Sequence, residues 1–298
     1  MLKVGGISKA PVLIIHGGVL LRAQEEFGSA KECNAEVERV ARKAFDLLRG
    51  GAPAMDAVLS AIEMLERFPL FNAGLGAELQ MDGVARLSAS LMDGSRERFS
   101  GVALATDLVH PSKLVKALQD RDDRVLGPAG ARLLRAELRI PDENPVTDAR
   151  LKKWEERRRD GNTGKFGTVG AVAIDGLNNI VACTSTGGKG FETVERMGDA
   201  ATVAGNFASR FAGISCTGIG EDIIDSAVAA RLETRVRDGR TLLEASELTL
   251  KEAADRLIGW IAIDRLGHWA ACSTKTPLIG AVISTSNPEP KLFYIGVE

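Results

Sequence analysis

Residues 166–170 read Phe166-Gly167-Thr168-Val169-Gly170, and they stand where the chain changes character. Upstream, 140–166 carries Pro141, Pro145, a dense charge cluster and then Asp160-Gly161-Asn162-Thr163-Gly164, a composition that predicts a mobile linker. Downstream, 169–174 is apolar and predicts a buried strand, returning through a turn at 175–179 into a second strand at 180–184. A threonine at such a junction has two readings. It can simply open the strand. If the Gly167–Thr168 bond breaks, however, its hydroxyl becomes a nucleophile with its own α-amine as base. A free α-amine titrates at about 7.7–8.0, close to the working pH that a general base needs. Gly167 permits backbone geometry that bulkier residues resist. The five residues alone do not choose between the two readings.

Apolar spacing on either side outlines the rest. The run at 11–15 predicts a buried strand that stops at Gly17-Gly18. An amphipathic helix is expected over 35–48 through Val37, Val40, Ala44, Leu47 and Leu48, closed by Gly50-Gly51. Pro53 suits the first turn of a second helix over 54–65. Segments 79–81 and 84–91 flank Asp82-Gly83 and predict a hairpin. A strand at 102–105 and a helix from Pro111 to Leu118 follow. After the junction come long helical stretches at 221–237 and 242–257, then strands at 260–263, 269–272, 279–284 and 291–295. Strand and helix do not alternate one for one, which argues against a doubly wound parallel sheet and for two sheets with helices outside them.

The 298 residues suffice to bury a sizeable core in one large domain or two smaller ones. A net charge of −2 argues against a nucleic-acid footprint, which needs a basic face, and the cluster Lys152, Lys153, Glu155, Glu156, Arg157, Arg158, Arg159 and Asp160 mixes both signs, as a solvated helix or linker does. Cys33, Cys183, Cys216 and Cys272 form no C-x-x-C pair for zinc and, at this chain length, predict no disulfide framework. The apolar run at 11–21 is interrupted by His16 and two glycines, and no run is long enough to span a bilayer. The expectation is a cytoplasmic protein without a membrane partner. Histidine chemistry is poorly supplied: His16 ends a strand, His110 precedes Pro111 and His268 falls in an expected turn, so a structural role is expected for each. There is no G-x-S-x-G elbow, no H-E-x-x-H, and no G-x-G-x-x-G between a strand and a helix. What remains is the arrangement that needs no histidine.

Short pieces in a fixed order add a likeness. They are Ile15-His16-Gly17-Gly18, Pro69-Leu70-Phe71-Asn72-Ala73-Gly74, Ala89-Ser90-Leu91-Met92-Asp93-Gly94, Gly167-Thr168-Val169-Gly170-Ala171-Val172-Ala173, Thr184-Ser185-Thr186-Gly187-Gly188, Arg196-Met197-Gly198-Asp199 and Ser215-Cys216-Thr217-Gly218-Ile219-Gly220-Glu221. Together they resemble the plant-type asparaginase and isoaspartyl peptidase family of N-terminal-nucleophile hydrolases, whose superfamily includes the glycosylasparaginases. The likeness runs over about 12–272 and is weakest over 120–165.

The resemblance implies an α+β fold of the four-layer αββα sandwich type. It implies one domain over 1–298 that cuts itself into an α subunit, 1–167, and a β subunit, 168–298, and that assembles as a dimer of αβ pairs. Thr168 would be the nucleophile and its own base, with Thr186 against its hydroxyl. Arg196 would bind the substrate α-carboxylate and Asp199 the α-ammonium. Thr217 and the Gly218 backbone would form the oxyanion site, and Asn72 would support the nucleophile's surroundings. The loop around 65–75 resembles one that binds a structural sodium ion through backbone carbonyls, here those of Leu65, Glu66, Phe68, Phe71, Ala73 and Leu75; apolar packing explains the same residues equally well. No catalytic cofactor is implied.

The implied activity is hydrolysis of L-asparagine and β-aspartyl (isoaspartyl) dipeptides. Glycosylasparagine cleavage, or an uncleaved homologue acting as a binding protein, are the alternatives. Departures from the family pattern fall mostly around the substrate pocket. Val19-Leu20 stands for Ala-Gly, Lys189-Gly190-Phe191-Glu192 for Met-Thr-Asn-Lys, Glu195 for Gly, and Ile219 for a second threonine. Phe166 replaces a polar residue before the scissile pair. Cys272-Ser273-Thr274-Lys275-Thr276-Pro277 departs from the asparaginase stretch Asn-Thr-x-Gly-Met, and its cysteine is more like the glycosylasparaginase side.

Overall fold

The computed structural model describes residues 2–19, 30–161 and 167–295. Leu20, Phe166 and residues 162–165 of the expected linker lie outside them. Elements follow in the order β1 (Leu2–Ile7), β2 (Val12–Val19), α1 (Ala30–Arg49), α2 (Ala54–Arg67), β3 (Leu87–Asp93), β4 (Arg98–Ala105), α3 (Pro111–Leu118), β5 (Val125–Leu126), α4 (Pro128–Glu137), α5 (Asp148–Asp160), β6 (Val169–Ile174), β7 (Ile180–Thr186), β8 (Asn206–Ala208), β9 (Ala212–Gly218), α6 (Gly220–Ser226), α7 (Val228–Arg237), α8 (Leu242–Glu252), β10 (Ile258–Asp264), β11 (His268–Ser273), β12 (Leu278–Ser284) and β13 (Lys291–Ile295). This is a mixed α/β protein with two sheets. One has the order β13-β12-β2-β6-β7-β3-β4-β5, the other β1-β11-β10-β9-β8.

Successive residues of a strand point to opposite faces, and β6 shows what each face is for. Val169, Ala171 and Ala173 join Val37, Val40 and Ala44 of α1 and Ala57, Val58 and Ile62 of α2 in one apolar cluster. Val172 and Ile174 join Ile14 of β2 and Ile261 and Ile263 of β10 in a second. Trp260 and Ala262 of β10 face the other way, onto Leu232 of α7 and Leu242 and Ala245 of α8. Strands covered on both faces read as continuous apolar runs, which is why 169–174 shows no alternation. Burying each of the larger side chains contributes roughly 1.5–3 kcal/mol. Helix α2 gains a remote anchor as well: its first N–H, at Ala54, donates to Asp175 in the β6–β7 turn at 3.1 Å.

Helix α5 is held differently. It lies where a mobile linker is expected, and Arg150 is its only buried residue. Thr147 caps its start by accepting the Arg150 N–H, and Gly161, at φ +68°, closes its end. With almost no apolar face, α5 is fastened by polar contacts. Arg150 Nη1 meets Glu78 at 2.5 Å, Arg157 pairs with the same carboxylate, and Trp154 Nε1 donates to the Gln80 carbonyl at 2.8 Å. Burial pulls the Arg150 guanidinium down from its usual range while the Glu78 carboxylate opposes that shift.

Other expectations need correction too. The turn at Asp82-Gly83 forms, with Gln80 N–H donating to the Val84 carbonyl at 3.0 Å, but no strand ladder extends from it, because the flanking backbone is bonded elsewhere: Phe191 N–H donates to the Leu79 carbonyl at 2.7 Å, and Met81 N–H to the Glu192 carbonyl at 2.9 Å. Strand β3 pairs instead with β4 and β7. The expected helix over 221–237 is broken at Ala227, whose φ of +47° divides it into α6 and α7. Helix α8 ends at Glu252 rather than 257. Strand β1 was not expected; it pairs along the edge of β11. Among the described residues, no helix is long and apolar enough to cross a membrane.

Candidate active site

Thr168 immediately precedes β6 and is 5% exposed. The neighbouring strands enclose it. On one side is Gly18 of β2, at φ +100°, where a Cβ would stand 3.0 Å from the backbone N and O of Thr168, so only glycine permits the approach. On the other side is Thr186, the last residue of β7. The Thr168 hydroxyl donates to Thr186 Oγ1 at 3.2 Å, and the Thr186 hydroxyl donates to the Gly167 carbonyl at 3.1 Å. Asn72 Nδ2 donates to that same carbonyl at 3.0 Å and to the Gly188 carbonyl at 2.7 Å. Its Oδ1 accepts the Glu78 N–H at 2.9 Å, so the hydrogen-bond network fixes which way the amide faces. Gly167 has φ +137°, and a Cβ there would meet Asn72 Cβ at 2.6 Å. A hydroxyl therefore lies beside a carbonyl whose oxygen already receives two donors, the arrangement that stabilises charge developing on that oxygen.

Thr168 and Thr186 line one cleft with Gly188, Lys189, Arg196, Gly198, Asp199, Gly218, Ile219 and Gly220. The structure thus brings together Thr168, Thr186, Arg196, Asp199 and Gly218. Thr217 is fully buried and does not line the cleft; its Oγ1 accepts the Val19 N–H at 3.4 Å, and its own proton has no acceptor among the described residues. Gly218, at φ +137°, packs against the Leu257 carbonyl and has no room for a Cβ.

The charged end of the cleft holds a residue whose role the sequence did not reveal. Arg196 Nε and Nη2 grip Glu221 at 2.8 and 2.5 Å. A guanidinium carries five N–H donors, so the Nη1 side stays available for a second carboxylate. Glu221 could have been suspected only from its place in the 215–221 match. Asp199 is buried, and its Oδ2 lacks a hydrogen-bond partner among the described residues. Burial pushes its carboxyl up to about 7; its own backbone N–H and the Arg196 charge oppose the shift. A folded pKa raised above the unfolded 3.8 means a stabilising contribution that is complete below pH 3.8 and lost as pH rises through about 7. Asp199→Asn should therefore melt higher than the parent at pH 8, by roughly a few degrees, with the gap closing towards pH 4. Thermal melts across that range check this; a gap that does not vary with pH would remove Asp199 ionisation as the cause.

His16 is no base for Thr168. It is fully buried, its Nδ1 accepts the Gly18 N–H at 3.2 Å, and its Nε2 therefore donates to Ser215 Oγ at 3.1 Å. Burial drags the imidazole down to about 3, with the Thr168 backbone opposing, so it is neutral at physiological pH. His110 bonds Glu66 at 2.9 Å and His268 bonds Asp264 at 2.8 Å.

The 65–75 loop lies under the site through Asn72. It turns at a 3-10 segment, Gly74–Gly76. The carbonyls of Leu65, Phe68 and Ala73 each accept one backbone N–H, which leaves a lone pair on each. The Glu66 and Phe71 carbonyls crowd the backbones of Gly74 and Gly76. The Glu66 side chain serves structure: its carboxylate accepts from Ser112 and Ser185 at 2.6 and 2.7 Å. Among the described residues, no cluster of His, Cys, Asp or Glu could hold a metal ion.

The class of protein follows from comparison with known sequences. Residues 9–290 match the family described as asparaginase, and the chain belongs to this family of hydrolases. It is 41% identical over 288 residues to an isoaspartyl peptidase/L-asparaginase of Synechocystis sp., covering 91% of this chain and 87% of that one. A protein of the same description from Nostoc sp. is 40% identical over 277 residues, 86% of each chain. The human protein so described is 31% identical over 283 residues, 90% of this chain and 91% of its own.

Proposed function

We propose that this chain is a self-activating amidohydrolase that cuts its own Gly167–Thr168 bond and then hydrolyses L-asparagine and β-aspartyl dipeptides. One observation carries the reading: Asn72 and Thr186 both donate to the Gly167 carbonyl, at 3.0 and 3.1 Å, beside the Thr168 hydroxyl. In self-cleavage Thr168 Oγ1 bonds to the Gly167 carbonyl carbon, and the two donors hold the oxygen as it gains charge. The C–N bond then breaks as the proton lost by the Thr168 hydroxyl passes to its nitrogen, which leaves an ester and a free Thr168 amine. Water hydrolyses the ester to the Gly167 carboxylate and restores the hydroxyl.

In the second reaction the freed amine takes the Thr168 hydroxyl proton. Oγ1 attacks the substrate's side-chain carbonyl, whose oxygen is met by the Thr217 hydroxyl and the Gly218 N–H; one such donor contributes about 10²–10³ in rate. The proton passes to the departing nitrogen as the C–N bond breaks, and water cleaves the aspartyl ester. Arg196 holds the α-carboxylate on its free side, while the Asp199 carboxylate gains the ammonium partner its buried oxygen lacks. The names of the relatives, isoaspartyl peptidase/L-asparaginase, support this substrate pair.

The packing of helices against each sheet, and of the sheets against each other, supports an αββα sandwich. Backbone carbonyls of the 65–75 loop would hold a structural sodium ion through the lone pairs their hydrogen bonds leave, and the assembly is a dimer of αβ pairs in the cytoplasm. The decisive experiment is to incubate freshly purified chain and sequence any new N-terminus. Fragments of 167 and 131 residues (298 − 167) starting at Met1 and Thr168 are expected. A chain intact after days, or cut elsewhere, would sink the proposal and favour an uncleaved binding protein.

A further inference from the structure

Lys189 enters the cleft from the loop that follows β7, and the backbone there is tightly held. Gly188 and Gly190 have φ +86° and +92°, and Phe191 has φ +54°. Lys189 N–H donates to Glu192 Oε1 at 2.9 Å, the Gly188 carbonyl accepts from Asn72, and Arg157 of α5 lies over Gly190. The next residue back, Gly188, donates its N–H to Thr186 Oγ1 at 3.2 Å, so Lys189 is presented one residue from the hydroxyl pair. The loop is fixed, yet its charge is not used internally. Among the described residues the Lys189 ammonium has no hydrogen bond or ion pair, whereas the other cation of the cleft, Arg196, is held by Glu221. Its positive charge still reaches into the cleft, where it helps keep the Glu221 carboxyl below its usual range, after the Arg196 hydrogen bond and against burial.

The proposed headgroup contacts consume one carboxylate and one ammonium, which is all the charge that asparagine brings. A β-aspartyl dipeptide brings a further carboxylate, on its leaving amino acid. Resting on the reading of the site as an asparaginase and isoaspartyl peptidase, we propose that Lys189 binds the leaving-group carboxylate of β-aspartyl dipeptides and so tilts specificity towards substrates with a free C-terminal acid. It is a specificity residue at a position where the chain departs from the family's methionine, and no bond is made or broken through it.

The test compares three substrates on self-processed enzyme: asparagine, a β-aspartyl dipeptide with a free C-terminus, and the same dipeptide amidated there. The parent should prefer the free acid to the amide by about tenfold in kcat/KM, the effect of one hydrogen bond to a charged group. In Lys189→Met that preference should fall to near unity, and Lys189→Arg should retain most of it. The loss should appear as a salt-sensitive rise in KM for the free acid. Equal turnover of acid and amide by the parent, or an undiminished preference in Lys189→Met, would overturn the assignment. If the processed parent turned over none of the three, the underlying reading of the site would fall instead.

Discussion

Thr168→Ala is expected to abolish both cutting of the chain and release of ammonia from asparagine. Loss of activity should be at least about ten-thousand-fold, the scale seen when a nucleophile is removed. The alanine has no oxygen to bond to the Gly167 carbonyl carbon, and among the described residues none is placed to substitute. The closest hydroxyl, Thr186, already donates to the carbonyl oxygen, and His16 is occupied on both ring nitrogens. The variant should still fold, because Asn72 and Thr186 keep their bonds to Gly167 and Gly188. Thr168→Ser retains a hydroxyl and should retain part of both reactions. Mass spectrometry of each variant with an ammonia-release assay reads the outcome. Appreciable amidase activity in the alanine variant would remove Thr168 from the mechanism.

Arg196→Ala is expected to separate the two reactions. The scissile Gly167–Thr168 bond has no α-carboxylate to bind, and Arg196 makes no hydrogen bond to either residue, so self-cleavage should proceed. Loss of one partner of a buried charge-assisted contact costs roughly 2–5 kcal/mol, so kcat/KM should drop about thirty- to several-thousand-fold. The fold should tolerate the change, since the abandoned partner, Glu221, is 54% exposed and can be solvated. Asparagine, an isoaspartyl dipeptide, a glycosylasparagine and an α-aspartyl dipeptide should be assayed side by side. The α-linked peptide should be poor for the parent, because its α-carboxyl is consumed in the bond. Preference for the glycosylasparagine would move the assignment to that chemistry. An unaffected Arg196→Ala variant would show that the headgroup contact is misplaced.

The central strands and the first two helices could be read because both faces of β6 and one face of α1 and α2 are apolar, and periodicity reports apolar burial. Helix α5 escaped for the opposite reason. Its buried residue is an arginine, and its attachment is to a carboxylate at position 78, a pairing no local pattern encodes. The false hairpin at Asp82-Gly83 had good turn chemistry, but its first arm is bonded to the 191–192 backbone, a choice made in three dimensions. At the site, Thr168, Thr186, Arg196, Asp199 and Gly218 were named from the family likeness and meet in one cleft. The sequence alone could not show that Glu221 grips the arginine, because their proximity depends on α6 turning back over the 196–199 loop.

The strand order of the larger sheet constrains when a cut at Gly167–Thr168 can occur. Strand β2 is flanked by β12 and β6, and β3 lies beside β7, so segments from before and after the junction alternate across the sheet. Two separate polypeptides would have to find each other and weave those seams together by a second-order process, whereas the uncut chain closes them as loops of one molecule. Proteolysis of this kind is a ratchet: the fold has to be complete before the bond is lost. A chain so cut would denature in a dilution-sensitive way that is hard to reverse, and its lifetime would be set by how slowly its interleaved strands come apart.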